Sequence, residues 1–142
     1  MKAPDLTKTF PRSPGEVLGG FASLARIVDK CRAVIAGTQG EYKFNCPLDK
    51  RFFDFTDIDA DEFKAQVAAG KSDDEIAAWV KQKTAHLSAG EIAAWSYDQR
   101  SRTPASVDEK TYFENYRQNF APHARHAITW YQLLDAEEKR FG

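Results

Sequence analysis

The chain has 142 residues, a formal net charge of −1 and an apolar fraction of 42%, with three tryptophans, five tyrosines and ten phenylalanines. This length predicts one domain spanning residues 1–142, and the apolar content excludes an intrinsically disordered chain. The near-neutral charge gives no basis for nucleic-acid binding, and no apolar run approaches the roughly 20 residues that cross a bilayer, so neither partner is predicted.

The first part of the chain carries helix signals on either side of an irregular segment. Ser13-Pro14-Gly15-Glu16 is a capping box with proline at the first helical position, which predicts a helix start. From Leu24 to Ile35 the apolar residues keep helical spacing, with Cys31 pointing inward and Gly37 supplying an end. Aromatic and polar residues alternate between residues 38 and 45, which allows a brief strand there.

Two further helices are predicted before residue 72. Pro47 can open a short helix, because large apolar residues follow it at i, i+4 and i+7 spacing. Asp59-Ala60-Asp61-Glu62 provides an aspartate cap for the next helix, which Gly70 should end.

The octet Ser-x-x-Glu-Ile-Ala-Ala-Trp occurs twice, at residues 72–79 and 88–95. Each copy begins with a capping box, in which the Ser hydroxyl and the Glu carboxylate satisfy backbone N–H groups at the helix start. Ile and Trp then lie three residues apart and form one apolar stripe. We therefore predict a helical hairpin that buries Trp79 and Trp95 together.

The last third of the chain is also helical in pattern. Ser106-Val107-Asp108-Glu109 is a further capping box, aromatic residues recur at 112, 116 and 120, and a final helix is predicted after Pro122. These signals together predict an all-α domain of about seven or eight short helices.

Two residue clusters resemble metal sites without completing one. The acidic run at residues 57–61 has the oxygen spacing of a calcium loop, but Glu62 replaces the required glycine and Ala68 replaces the closing carboxylate. His123 and His126 could share one helix face, yet no third ligand follows at a recognisable spacing. No metal site is therefore predicted.

A polar site is predicted where the first long helix meets the irregular segment. Charged residues recur at helical spacing from residue 26, opposite much of the apolar stripe, and the segment after residue 39 is rich in hydrogen-bonding groups. Irregular loops on a rigid scaffold are where binding groups concentrate. The predicted ligand-binding residues are Arg26, Asp29, Lys30, Tyr42, Asn45, Cys46 and Asp49.

These residues favour a small binding or interaction protein. Arg26 and Lys30 could give charge-assisted hydrogen bonds to a small anionic molecule or a protein segment, with Asn45 beside them and Asp29 orienting Arg26. Two cysteines are too few for a disulfide framework, and no apolar leader follows Met1, so a cytoplasmic protein is predicted.

Two alternatives remain open at this point. The protein could be a small enzyme, with Cys46 as nucleophile or Asp29 and Asp49 as acid and base. It could instead act mainly by self-association through exposed aromatic residues such as Tyr112 or Tyr131.

Several segments are similar to one known family. They are Asp5-Leu6-Thr7, Leu18-Gly19-Gly20, the run from Ala25 to Ala33, Gly40-Glu41-Tyr42, Asn45-Cys46-Pro47-Leu48-Asp49 and Thr129 to Asp135. They resemble an uncharacterised bacterial family, the domain of unknown function 5069, and the resemblance implies no activity, cofactor or catalytic residue. That family often has proline where this chain has Ala25, and alanine there leaves open one continuous helix from Pro14 to Ala36.

Overall fold

The computed structural model describes residues 2–139, in which seven helices surround one short β-hairpin. The strands are β1 (Val17–Leu18) and β2 (Phe21–Ala22). The helices are α1 (Leu24–Ala36), α2 (Pro47–Thr56), α3 (Ala60–Ala68), α4 (Asp73–Lys83), α5 (Ala89–Ser101), α6 (Val107–Phe120) and α7 (Trp130–Glu137). The predicted helical class and helix number are confirmed. Every helix in residues 2–139 is too short or too polar to cross a bilayer.

The repeated octet opens two helices as predicted. In α4 the Ser72 hydroxyl accepts from the Glu75 N–H at 3.2 Å, while the Glu75 carboxylate accepts from the Ser72 N–H at 2.9 Å. Ser88 and Glu91 repeat both bonds at 3.0 Å at the start of α5. Asp59 likewise caps α3. Local side-chain chemistry therefore sets these three helix starts.

The capping box at residues 13–16 does not open a helix. The Ser13 hydroxyl accepts from the Gly15 N–H within a turn, and the chain then enters the β-hairpin. Gly19 and Gly20, with φ of +59° and +89°, form the turn that pairs β1 with β2. Because this hairpin precedes α1, the alternative of one helix from Pro14 to Ala36 is wrong.

The segment at residues 38–45 forms turns rather than a strand, because its backbone partner is the N-terminal segment at a single point. The Leu6 N–H donates to the Thr38 carbonyl at 2.8 Å. Gly40 follows with φ +58°, and a Cβ at this position would lie only 3.1 Å from the Leu6 carbonyl oxygen. The close approach therefore requires glycine at residue 40.

The last helix begins later than predicted. Residues 121–129 form turns, and α7 opens with a capping box in which Thr129 and Gln132 exchange side-chain and backbone hydrogen bonds of 3.0 and 3.1 Å. The capping box with Gln132 at the third helical position thus sets the start of α7. Pro122, after which the helix was predicted, does not begin it.

The main core is formed by residues from β2 and the first four helices. Trp95 stacks on Phe55 with ring centroids 5.0 Å apart, whereas Trp79 meets Phe63 edge-on at 6.2 Å. Both tryptophans pack against this core as predicted, but each is only partly buried and they contact different aromatic rings, so the two indoles are not buried together as expected. Cys31 points inward as predicted. The largest fully buried core side chains are Phe21, Leu24, Ile27, Phe52, Phe63 and Ile76.

An ionic network fastens the N-terminal segment to α1 and α4. The Arg12 guanidinium donates to Asp29 at 3.0 Å and to Asp73 at 2.7 Å, and Arg32 also donates to Asp73 at 2.8 Å. The hydrogen bond from Arg12 outweighs partial burial and lowers the pKa of Asp73 below its usual value. Folding is therefore linked to deprotonation of this carboxyl group.

We predict that Asp73→Asn lowers the free energy of unfolding at neutral pH and makes that free energy less dependent on pH. Because the native pKa lies below the usual value of 3.8, the stabilisation is complete above that pH and is lost as the pH falls through the native pKa. Urea denaturation at several pH values should show wild type and variant converging at low pH. Asp74→Asn, at the exposed neighbouring residue, is the control. An equal effect of both substitutions would contradict the prediction.

Candidate functional site

A cavity of about 1140 Å³ lies between the N-terminal segment, α1, α2 and the C-terminal helices. This volume of about 1140 Å³ is slightly above the range of about 300–1,000 Å³ found for small-molecule sites. Four of the seven predicted site residues line it: Arg26, Lys30, Tyr42 and Cys46. The predicted polar face therefore borders a concave surface rather than a convex one.

Arg26 reaches the inner wall of the cavity from α1 and is held by the end of the chain. Its guanidinium donates to both carboxylate oxygens of Glu138, at 2.9 and 2.7 Å, and the two side chains are only 5% and 3% exposed. The Tyr42 hydroxyl donates to the same carboxylate at 2.8 Å. The Arg26 guanidinium also lies over the Tyr42 ring, 5.6 Å from its centroid.

This network fixes the protonation of its members. Burial, and then the hydrogen bond to Glu138, raise the pKa of Tyr42 above its ordinary value, so the phenol stays a donor at neutral pH. Burial opposes the charge on Arg26, but the bonds to Glu138 outweigh it and the pKa of Arg26 is raised. The positive charge at Arg26 is therefore already neutralised inside the protein.

A second buried pair lies one helical turn along α1. The Lys30 ammonium donates to Asp49 at 2.8 Å, with side chains 4% and 3% exposed, and also contacts the Cys46 sulfur at 3.4 Å. The other oxygen of Asp49 accepts from the Asn45 N–H at 2.9 Å. Asp49 thus holds Lys30 in the cavity wall without lining the cavity itself. Asn45 contributes only its backbone N–H, which donates to Asp49.

Asp29 lies away from this cavity. Its carboxylate accepts from the backbone and guanidinium of Arg12, in a shallow depression shared with Asp73. Asp29 therefore does not orient Arg26, because both of its carboxylate oxygens accept from Arg12 while the Arg26 guanidinium donates to Glu138. Neither Asp29 nor Asp49 lines the cavity, so the structure does not bring these two carboxylates together around it.

No histidine lines the cavity. His86, His123 and His126 are all exposed on other parts of the surface. The described residues contain no group of three or more histidine, cysteine or carboxylate side chains positioned to hold a metal ion. A pairing of Cys46 with a histidine base is absent from the cavity lining.

Two arginines that the sequence did not single out also line the cavity. Arg51 extends from α2 and its Nε donates to the buried Gln99 side chain at 2.7 Å, while Arg102 follows the end of α5. Burial, and then the nearby charge of Arg102, lower the pKa of Arg51. Neither guanidinium has a carboxylate partner among residues 2–139. Two neighbouring guanidinium groups therefore line the cavity without a salt-bridge partner in the described part of the chain.

Other acidic residues on the same wall are already engaged. The Glu137 carboxylate accepts from the Tyr116 hydroxyl at 2.6 Å, and the Glu109 carboxylate accepts from the Ala105 N–H at 3.2 Å. Neither of these carboxylates forms a salt bridge with Arg51 or Arg102 in residues 2–139, so both guanidinium groups can still donate to an anion at this end of the cavity.

Aromatic side chains from α6 and α7 form the wall beside the arginines. Trp130 packs edge-on against Phe113 at 5.2 Å and meets Tyr112 at 6.3 Å. The Trp130 backbone N–H donates to the Arg102 carbonyl at 3.1 Å, which joins this wall to the arginine. The indole Nε1 is buried and finds no acceptor in the described part of the chain. Tyr131, expected as an exposed residue for self-association, is instead buried.

Three residues of the site, Arg51, Arg102 and Glu138, were not predicted from the sequence, each for a different reason. Arg51 stands only two positions after the predicted Asp49, but nothing local distinguishes it from Lys50. Arg102 lies in a segment that reads as an ordinary loop. Glu138 belongs to a run of charges at the chain end, and only the folded chain brings it to Arg26.

The fold and this cavity define a small, mainly helical protein with a concave site. The site combines buried ion pairs, aromatic walls and two arginines that have no carboxylate partner in residues 2–139. The chain belongs to the family described as domain of unknown function (DUF5069), whose family model matches residues 8–140. This confirms the resemblance noted in the sequence. No curated protein matches the chain.

We predict that Glu138→Gln destabilises the protein by about 3–5 kcal/mol, because it leaves the buried Arg26 charge without its partner. Urea denaturation measures the change. The double variant Arg26→Met, Glu138→Leu should lose less, since it removes both charges. Glu137→Gln is a matched control, because it removes the charge of a carboxylate that accepts from the neutral Tyr116 hydroxyl and keeps an acceptor oxygen there. A double variant as unstable as the single one would contradict this account.

Proposed function

We propose that the protein binds a small organic anion in the cavity between α1, α2 and the C-terminal helices. The observation that carries the proposal is the pair formed by Arg51 and Arg102, which line the cavity without a carboxylate partner among the residues described. Like charges placed together raise the free energy of the empty site, and a bound carboxylate or phosphate would relieve this cost.

Arg51 and Arg102 are better candidates for binding an anion than Arg26 and Lys30, the residues that the sequence suggested. Arg26 and Lys30 already bind Glu138 and Asp49 in buried pairs, so an added anion would have to compete with these carboxylates. Arg51 is held at Nε by Gln99, which leaves the outer nitrogens of its guanidinium for a ligand. Arginine suits this role because its planar fork can donate to two oxygens at once.

The remaining wall supports a ligand with an apolar or aromatic body. Tyr112 is 60% exposed although its ring borders the cavity, and Leu133 and Leu134 of α7 line the same space. Aromatic rings stack readily on a planar ligand, whereas a simple inorganic ion would leave most of this surface unused. The size of the cavity is better matched to a small molecule than to a protein segment.

We further propose a bacterial cytoplasm as the setting. The resemblance to the family supports the bacterial origin, and the two cysteines, both free thiols, agree with a reducing compartment.

Thermal-shift measurements with aromatic carboxylates and phosphate monoesters test the binding proposal. A ligand present at about 100 times its Kd should add about 2.7 kcal/mol to the free energy of unfolding. Arg51→Met and Arg102→Met should each weaken binding about 10- to 100-fold, because a hydrogen bond to a charged group contributes about 1.5–3 kcal/mol. Uncharged amides of the same carboxylates should give no comparable shift.

Arg100→Met provides the matched control, since Arg100 is exposed in the last turn of α5 and does not line the cavity. It should leave the ligand-induced shift unchanged. The proposal fails if no anion of the panel stabilises the wild type more than the two arginine variants. Equal loss of binding in Arg100→Met would also exclude the cavity as the site.

A further inference from the structure

We propose that α6 is the lid of this cavity, which separates from α7 to admit a ligand and packs against α7 again to enclose it. The opening of the lid is inferred from the contacts of α6 alone. Its closure over an aromatic anion rests on the proposed function of the cavity.

The packing of α6 against the rest of the protein is sparse. It is the longest helix in residues 2–139, yet Phe113 is the one buried residue among its fourteen, whereas α1 buries nine of thirteen. No residue of α6 belongs to the main hydrophobic core of the described chain. Val107 and Phe120, at its two ends, are 79% and 56% exposed. An element with so few buried apolar contacts opens at a low cost in free energy.

The contacts that hold α6 in place run to α7. Phe113 packs edge-on against Trp130, and the Tyr116 hydroxyl donates to the Glu137 carboxylate at 2.6 Å. Within residues 2–139 this is the one hydrogen bond between a side chain of α6 and another helix, since the others stay within α6 or its flanking turns. The helix can therefore separate by losing one hydrogen bond and the packing on one indole ring.

A second observation shows that the contact between α6 and α7 is imperfect. The indole Nε1 of Trp130 is buried without an acceptor in the described chain. The ring neighbours of this indole, Tyr112 and Phe113, both belong to α6. A buried donor without an acceptor costs free energy, and exposure to water removes that cost. Separation of α6 therefore recovers a hydrogen bond that the packed state lacks.

The position of α6 suits a lid. Glu109, Tyr112 and Tyr116 of this helix line the cavity, and their spacing of three and four residues places them on one face. The arginines of the proposed anion site lie on other elements, in α2 and after the end of α5. Movement of α6 therefore opens one wall of the cavity while the anion site keeps its place.

The connections at the two ends of α6 locate the movement. The Trp130 backbone N–H holds the Arg102 carbonyl, whereas the Glu109 carboxylate holds the Ala105 N–H, so Thr103 and Pro104 form the link between the fixed and the moving parts. At the other end Ala121 is fully buried in a small cluster of alanines and anchors the helix. The lid thus pivots at its C-terminal end, as hinged elements do through a few residues at their ends.

A bound aromatic anion would supply the contacts that α6 lacks. With its charged group on Arg51 and Arg102, the ring of such a ligand lies beside the exposed ring of Tyr112. A ligand that contacts the lid binds the closed state better than the open one, and therefore shifts the equilibrium towards closure. An ion that contacts the arginines alone has no such preference.

Exchange of the indole N–H protons with solvent, followed by NMR in the full chain, tests the lid. The Trp130 signal is assigned by its loss in Trp130→Phe, and Trp79 and Trp95, which pack against the main core, give two reference signals. Because Trp130 Nε1 has no acceptor in residues 2–139, its protection comes from the side chains that cover it. Its exchange rate therefore reports the opening of α6.

We expect the Trp130 indole proton to be protected in the wild type and to exchange about 10- to 100-fold faster in Tyr116→Phe, which removes the hydrogen bond to a charged acceptor. Tyr112→Phe is the matched control. It makes the same chemical change one helical turn earlier, at an exposed hydroxyl that makes no hydrogen bond in the described chain. Exchange of the backbone amides of α1 should be unchanged in both variants.

Phenyl phosphate at saturation should slow the exchange of the Trp130 indole proton about tenfold in the wild type, because its ring contacts the lid. Inorganic phosphate at saturation should leave the rate unchanged. Arg51→Met should abolish the effect of phenyl phosphate at the same concentration.

The outcomes separate the lid from the proposed function. Exchange of Trp130 as fast as in free tryptophan, an equal effect of Tyr116→Phe and Tyr112→Phe, or equal acceleration of the α1 amides overturns the lid. Acceleration confined to Trp130 in Tyr116→Phe supports it, even if thermal shift shows that no anion binds and the proposed function fails. Binding of phenyl phosphate without slower exchange contradicts closure over the ligand.

Discussion

The buried ion pair between Arg26 and Glu138 is the constraint on which the rest of the cavity depends. Its two residues are 112 positions apart, and almost no part of either side chain reaches solvent. Burial of two charges is costly, so the pair is stable only because its geometry is bidentate and Tyr42 satisfies the same carboxylate. Through this contact the last helical turn, the first long helix and the irregular segment after it form one wall.

The cavity has two kinds of cationic side chain, those with a carboxylate partner and those without one in residues 2–139. On the inner wall, Arg26 and Lys30 each have a carboxylate partner, and their contribution is to shape and rigidity. At the other end, Arg51 and Arg102 lie close together with no carboxylate partner in residues 2–139. The proposed anion site therefore lies at Arg51 and Arg102, which come from α2 and the end of α5. It does not lie at Arg26 and Lys30, which the sequence had suggested.

Local chemistry accounts for most of the secondary structure that the sequence predicted. Capping boxes at Ser72 and Ser88 open their helices as expected, because the interacting groups lie within three residues of one another. The same motif at Ser13 fails, since the glycines at 19 and 20 favour a β-turn that pairs two short strands. A local pattern predicts correctly only where no neighbouring pattern competes for the same residues.

The sequence by itself determined the helical class, most helix starts and the inward position of Cys31. These follow from periodicity and capping, which act over a few residues along the chain. Only the tertiary structure decided that Glu138 neutralises Arg26, that Asp29 pairs with Arg12 and that Arg51 meets Arg102. Charge pairing in a fold depends on which distant side chains share a low-dielectric space, and one-dimensional spacing carries no information about that proximity.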